Sequence, residues 1–286
     1  LMGLCIREAG KTIDDAIAEI REAVDFCRYY ALRGRKDFQN DGQLLPGPTG
    51  EENILTLHGR GVFVCISPWN FPLAIFTGQI TAALMAGNAV IAKPAEQTPL
   101  IAQEVARLIL ESGIPPEAFT LLQGGRDTGA RIVEHEGVDG VAFTGSTQAA
   151  KAINRALAAK DGPIVPLIAE TGGQNAMIVD SSALPEQVID DVLHSAFGSS
   201  GQRCSALRVL YVQDDVADHV INMLKGAMQQ RRLGDPRRLS TDIGPVIDTQ
   251  AKQMLEEHVQ KLEQIGTKIA TIPLAQELQD QGTFFQ

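Results

Sequence analysis

The sequence predicts an α/β protein built on parallel strands. Between Gly61 and Ala169, short apolar, β-rich runs alternate with helical stretches of ten or more residues. Glycine or proline marks most of the junctions, and the alternation begins again after Gly172-Gly173. Strands separated by helices of that length make parallel crossover units, whose sheet is covered on both faces and whose ligands sit beyond the strand C-terminal ends.

The first element is a helix over about 12–32. Thr12 can cap it with Asp15 three residues on, and Ile13, Ala16, Ile17, Ile20, Val24 and Cys27 recur at three- and four-residue steps before Gly34. Residues 41–61 carry Gly and Pro breakers and the short run Ile54-Leu55-Thr56-Leu57, which predicts a hairpin or arm outside the main sheet, suited to oligomer contacts. Strands are then expected at 62–66, 89–92, 119–122, 140–143 and 166–169, with helices over 76–85, 98–112, 128–135 and 147–159 between them. After Gly172-Gly173 come strands at 176–179 and 207–212 and helices over 185–197, 216–231 and 249–264. A domain boundary is therefore expected near 171–173, dividing the chain into 1–171 and 172–286.

Composition excludes several classes of function. The 286 residues, 44% of them hydrophobic, supply ample core material. With 25 Lys+Arg against 35 Asp+Glu, a net charge of −10 leaves no excess to neutralise a phosphate backbone, so no nucleic-acid partner is expected. No apolar run approaches the ~18–20 residues of a membrane span. The cysteines (Cys5, Cys27, Cys65, Cys204) are scattered, form no C-x-x-C pair and follow no secretory leader, which predicts a reducing, cytoplasmic compartment; no metal site is expected. The chain starts at Leu1 and stops at Thr283-Phe284-Phe285-Gln286, as expected of a piece of something longer.

Six segments carry candidate chemistry. Cys204 stands in Gly198-Ser199-Ser200-Gly201-Gln202-Arg203-Cys204-Ser205, just before a strand. A lone cysteine is most often a small buried hydrophobe, but glycines allow close backbone approach to a ligand, and Arg203 is placed to favour the nucleophilic thiolate unless its side chain is solvated or ion-paired. Glu170, at a strand end before two glycines, suits general-base work, and a loop carboxylate bonded to backbone amides is an equal alternative. In Ile66-Ser67-Pro68-Trp69-Asn70-Phe71-Pro72 two prolines stiffen the loop, Asn70 can donate to a developing oxyanion, and Trp69 is more simply a packing residue. Lys93 and Glu96 follow another strand and suit ribose hydroxyls, unless they form an exposed ion pair; a carboxylate there repels a 2′-phosphate, favouring NAD over NADP. The turns Gly124-Gly125-Arg126-Asp127-Thr128-Gly129 and Phe143-Thr144-Gly145-Ser146-Thr147 are glycine-bearing, and the second presents helix N-terminal amides to a diphosphate; neither matches G-x-G-x-x-G.

In this order along the chain, Pro68-Trp69-Asn70-Phe71-Pro72, Lys93-Pro94-Ala95-Glu96-Gln97-Thr98-Pro99, Phe143-Thr144-Gly145-Ser146-Thr147, Glu170-Thr171-Gly172-Gly173-Gln174-Asn175 and Gly201-Gln202-Arg203-Cys204 resemble the aldehyde dehydrogenase superfamily, over nearly the whole chain. Within it, Arg7-Glu8-Ala9-Gly10-Lys11-Thr12, Ala23-Val24-Asp25-Phe26-Cys27-Arg28-Tyr29-Tyr30 and Gln202-Arg203-Cys204-Ser205-Ala206-Leu207-Arg208 resemble the glutamate-semialdehyde (1-pyrroline-5-carboxylate) dehydrogenase module of bacterial bifunctional proline-catabolism proteins. The resemblance implies a Rossmann-type NAD domain in 1–171, with 41–61 as an oligomerisation arm, and an incomplete α/β catalytic domain in 172–286. It implies Cys204 as nucleophile, Asn70 with the Cys204 N–H as oxyanion donors, and Glu170 as activator of the hydrolytic water. Ile66, Ser67, Pro68, Trp69, Lys93, Glu96, Gly125, Gly129, Thr144, Gly145, Ser146, Thr171 and Gly172 would line the path of NAD. A small aldehyde substrate, a homo-oligomeric full-length protein and an upstream proline dehydrogenase domain are implied in the same way.

Departures from the family pattern are Thr171 and Gln174, where Leu and Lys are frequent, and Ala150 in place of a frequent Gly. Family members also continue past the cysteine to a Glu-x-Phe-Gly-Pro segment and a glycine-rich anchor loop, neither of which occurs after Cys204 here. The competing expectations are a cofactor-binding or assembly module without turnover, and the same chemistry on another semialdehyde such as succinate semialdehyde.

Overall fold

The computed structural model describes residues 1–39, 42–279 and 281–286. Asp41, the first residue of the expected arm, lies outside the described residues. The chain forms two compact units, Leu1 with Ala18–Thr171 and Met2–Ile17 with Gly172–Gln286. The opening residues thus group with the second unit, a correction to the sequence-based assignment of all of 1–171 to the first.

Helix α1 (Met2–Ala9), which the sequence did not announce, precedes α2 (Ile13–Asp37). Thr12 caps α2: the Asp15 N–H donates to its hydroxyl at 3.2 Å, and the hydroxyl donates to the Asp15 carboxylate at 2.9 Å. Gly34 does not end this helix, as its sequence position suggested. A Cβ there would lie 2.1 Å from the Met85 methyl, so Gly34 is an interior glycine that permits close helix packing. Strands β1 (Gln43–Leu45) and β2 (Asn53–Leu55) pair antiparallel as a separate hairpin that exposes Leu44, Leu45, Ile54 and Leu55.

The first unit is organised by β3 (Val62–Ile66), α3 (Ala74–Met85), β4 (Ala89–Lys93), α4 (Pro99–Glu111), β5 (Phe119–Leu121), α5 (Arg126–Glu134), β6 (Gly140–Gly145), α6 (Thr147–Ala158) and β7 (Leu167–Thr171). The sheet order is β5-β4-β3-β6-β7, every pairing parallel. From β3 the chain therefore winds outward to β5, then crosses to β6 and winds outward the other way, so right-handed crossovers put α3 and α4 on one face and α5 and α6 on the other. Val64, Val133, Val141, Phe143 and Leu157 form the core under α5 and α6. Phe76 and Ile80 of α3 are fully buried, and each such side chain stabilises the fold by roughly 1.5–3 kcal/mol. The α3 N-terminus has no side-chain cap of its own. Glu19 of α2 supplies one, its carboxylate accepting from the N–H groups of Leu73 at 3.2 Å and Ala74 at 2.8 Å.

In the second unit β8 (Asn175–Val179) and β9 (Leu207–Val212) pair in parallel. Helices α7 (Pro185–Phe197) and α8 (Asp214–Gln229) cover one face through Val179, Val188, Ile189, Val192, Leu193 and Val220. On the other face Ile178 and Tyr211, paired in register, are 82% and 60% exposed. Helices α9 (Thr249–Leu262) and α10 (Gln276–Gln279) follow. Among the described residues no helix is long and apolar enough to cross a membrane.

Candidate active site

The candidate residues fall into two groups, one in each compact unit. In the first unit they lie at the C-terminal ends of the strands, beside β3, where the winding of the sheet reverses; ligands of open α/β sheets bind at that switch point. The Ser67 N–H donates to the Lys93 carbonyl at 3.1 Å, holding the loop after β3 to the end of β4. Pro68, Trp69 and Asn70 follow, all half-buried. Residues 144 and 170, and 145 and 171, are opposite one another in the β6–β7 register, so Thr144 and Gly145 stand beside Glu170 and Thr171. Glu170 is exposed on its edge strand.

Lys93 is 6% exposed. Its ammonium donates to the carbonyls of Pro94 and Gly124, each at 2.8 Å, which commits two of its three donors and turns the lysine across the end of β5. Burial pushes its pKa down, and the nearby Glu96 carboxylate opposes that shift. Two glycines are shaped by this pair. A Cβ on Gly125 would come within 2.5 Å of the Glu96 carboxylate, and one on Gly129 within 3.3 Å of the Lys93 stem. Lys93 and Glu96 are thus packed on the glycine turn and do not form an isolated surface pair. Ser146 caps α6 by accepting from the Ala149 N–H at 3.2 Å. Gly172 has nothing within 4 Å of where a Cβ would sit, so no close approach in the structure requires a glycine there.

In the second unit, the turn after α7 carries Ser199 (φ 53°) and Ser200 (φ 57°) in the left-handed region, followed by Gly201 at φ 68°. That conformation costs a serine about 1–2 kcal/mol, so surrounding contacts must impose it. They are plain. Lys11 donates to the Ser199 hydroxyl at 3.1 Å, the Ser199 N–H donates to Asp15 at 3.2 Å, and the Ser200 hydroxyl donates to the Gly244 carbonyl at 2.8 Å. Gly201 is obligatory: a Cβ there would also lie 2.9 Å from the Ala196 carbonyl.

Arg203 is ion-paired. Its guanidinium is placed against Asp15 at 2.5 Å and donates to the Ser199 hydroxyl at 3.3 Å, so it supports the loop. Burial alone pushes the Asp15 carboxyl up, but Arg203, Lys11 and the Thr12 hydroxyl outweigh it and hold the pKa below the ordinary carboxylate value. Asn175 donates to the carbonyls of Cys204 at 2.8 Å and Ala206 at 3.0 Å, fixing the backbone on the other side of the cysteine. Cys204 itself is half-buried, whereas Cys5 and Cys65 are buried and Cys27 is exposed. Burial raises the Cys65 thiol to about 12, which keeps it protonated and inert near neutral pH.

Sequence reasoning missed Lys11, Asp15, Glu19, Gln79 and Asn175. Thr12-x-x-Asp15 pointed to a helix cap alone, and Lys11 and Asn175 stood in matching segments without a role of their own.

The chain thus comprises an α/β unit with a parallel sheet whose candidate residues stand at the switch point, and an α/β unit with a braced cysteine turn. The chain belongs to the aldehyde dehydrogenase family: that family's model matches residues 1–286. The bifunctional protein PutA of Klebsiella aerogenes is 56% identical over 273 residues, 94% of this chain and 20% of that protein. The 1-pyrroline-5-carboxylate dehydrogenase of a Geobacillus species is 37% identical over 286 residues, 99% of this chain and 54% of that one. Among solved structures, a proline utilization A (PutA) variant of Bradyrhizobium japonicum superposes with a TM-score of 0.93 at 59% identity, covering 96% of this chain and 28% of that one. The chain therefore spans a fifth to about half the length of these relatives.

Proposed function

We propose that the protein containing this chain is an NAD-dependent aldehyde dehydrogenase that oxidises L-glutamate γ-semialdehyde to L-glutamate in proline catabolism. The observation that carries the reading is the Cys204 turn. Ser199 is held in a strained conformation by the buried Lys11 and Asp15, and Ser200 by the Gly244 carbonyl, five and four residues before a half-buried cysteine, an outlay that a packing cysteine does not require. The names of the PutA and 1-pyrroline-5-carboxylate dehydrogenase relatives support the choice of aldehyde.

On this reading Cys204 Sγ bonds to the aldehyde carbon to give a tetrahedral thiohemiacetal, whose oxyanion accepts from the Asn70 amide and the Cys204 N–H. NAD held at the strand ends would supply the hydride acceptor for that carbon. The carbon then remains on sulfur as a thioester, and Glu170 takes a proton from the water that attacks it, releasing the carboxylate and the free thiol. The first unit is the cofactor domain, and 172–286 is the first part of a catalytic domain. The β1–β2 hairpin is an oligomer arm, as its exposed leucines and isoleucine suggest. The compartment is the cytoplasm.

The strand-end residues suit a dinucleotide. Lys93 has a third ammonium donor for a ribose hydroxyl, Glu96 is an acceptor lying over Gly125 where no side chain intervenes, Thr144 and Gly145 end β6, and Ser67, Trp69 and Ser146 lie just beyond the strand ends at the switch point. The Glu96 carboxylate favours NAD over a 2′-phosphorylated cofactor. Gly125→Ala should push that carboxylate aside, since its nearest obstruction is the end of a flexible side chain. The expected result is about tenfold weaker NAD binding by titration with a stability change within about 0.5 kcal/mol.

The decisive experiment supplies the intact gene product with L-glutamate γ-semialdehyde and either cofactor. NADH and glutamate should appear one for one, faster than with succinate semialdehyde. No turnover with NAD or NADP overturns the reading, and a preference for NADP overturns its cofactor assignment.

A further inference from the structure

We propose that Gln79 is a positioning residue that closes the switch point of the sheet and sets the loop carrying Trp69 and Asn70 against the end of β6. This rests on the reading of those strand ends as the cofactor site. The β3–β6 ladder ends with Ile66 opposite Phe143. One residue further, where the loops diverge, the Gln79 side chain of α3 takes over. The Ser67 hydroxyl donates to Gln79 Oε1 at 2.9 Å, while Gln79 Nε2 donates to the Ile66 carbonyl at 3.3 Å and to the Thr144 hydroxyl at 3.0 Å.

The chemistry of the amide fits this place and few others would. Ile66 offers a carbonyl, which only accepts, so a donor must face it; Ser67 is then served by the remaining oxygen. Flipping the amide would set Oε1 against the Ile66 carbonyl, which fixes its orientation. Ser67 is 4% exposed, and its N–H already continues the β3–β4 ladder to Lys93. Ser67 is thereby fixed from both sides, by Lys93 toward β4 and by Gln79 toward β6. Trp69 and Asn70 lie two and three residues beyond it, and Thr144 is paired with Glu170. One amide therefore links the loop of the oxyanion donor to the strand pair that carries the general base.

The test uses the intact gene product and two readouts. Gln79→Met keeps the length of the side chain and removes all three bonds. NAD should bind about tenfold more weakly, and amide hydrogen exchange should quicken at 67–70 and 144–146 while β4 and β5 stay as in the wild type. Gln79→Glu separates positioning from packing. As a carboxylate near pH 8 it faces the Ile66 carbonyl with an acceptor, whereas once protonated at lower pH the carboxyl again donates one bond, so its NAD affinity relative to wild type should recover on acidification. Unchanged exchange and NAD affinity in Gln79→Met, or a Gln79→Glu variant indifferent to pH, overturns the inference. Should Gln79→Met not fold, Thr144→Val removes one arm of the clamp at nearly constant shape and must quicken exchange at 67–70. A wild type that does not bind NAD counts against the proposed function alone, because hydrogen exchange needs no cofactor and still decides whether Gln79 holds the loop.

Discussion

Replacing Cys204 by alanine in the intact protein is expected to lower kcat for aldehyde-dependent NADH formation by about 10⁴-fold or more, because the proposed route loses its only covalent attachment point. The expectation is specific because the backbone around the residue does not depend on the sulfur. Asn175 holds the Cys204 carbonyl and Ser199 to Arg203 are held by Lys11, Asp15 and Gly244, none of which contacts are to the thiol. Melting temperature and NAD affinity should therefore stay close to wild type while turnover vanishes. Cys27→Ala is the matching control: Cys27 is exposed on α2 and lies in none of these contacts, so activity should not change. Residual turnover above one per cent in Cys204→Ala would show that the cysteine is not the nucleophile.

The parts of the fold that were legible are those set by short-range chemistry. The alternation of β-rich runs with ten-residue helices gave the parallel sheet, because that connection length leaves a crossover as the only geometry. The motifs at Asn70, Lys93, Thr144 and Glu170 follow strands, and parallel strands present their C-terminal ends on one side of a sheet. What was not legible depends on partners far along the chain. Asp15 and Arg203 are separated by 188 positions, Glu19 and Leu73 by 54, and Gln79 and Thr144 by 65. Taken locally, Asp15 is a helix cap, Arg203 a cation near a thiol with no partner in view, and Gln79 an ordinary polar position on a helix. Gly34 misled for the same reason, since a glycine that admits Met85 looks in sequence like one that ends a helix. Helix α1 carries no capping signal in its eight residues and gains its place by packing, with Cys5 and Ala9 buried.

Asp15→Ala should destabilise the second unit by about 3–5 kcal/mol, the range for removing one partner of a buried ion pair. Asp15 and Arg203 have side chains only 8% and 19% exposed, and Lys11 is 3% exposed, so the variant takes the carboxylate from the largely buried Arg203 and a stabilising negative charge from beside Lys11. It also removes the acceptor of the Ser199 N–H and releases the left-handed turn it restrains. Asp15→Asn keeps the shape and an acceptor oxygen, so whatever share of the loss it reproduces measures the charge itself; most of the loss should persist. A double-mutant cycle with Arg203→Met reports the coupling, which should be well above the ~0.5 kcal/mol of independent sites. The pair also predicts a pH dependence. The folded carboxyl titrates below its unfolded value, so its contribution is fully present above the unfolded pKa, near 3.9, and is lost as pH falls through the folded one. Denaturant melts of the wild type should therefore lose stability below about pH 4 through a component that Asp15→Asn lacks. Parallel pH profiles for the two proteins, or an Asp15→Asn variant as stable as wild type at neutral pH, would show that the turn before Cys204 is held by packing and not by this carboxylate.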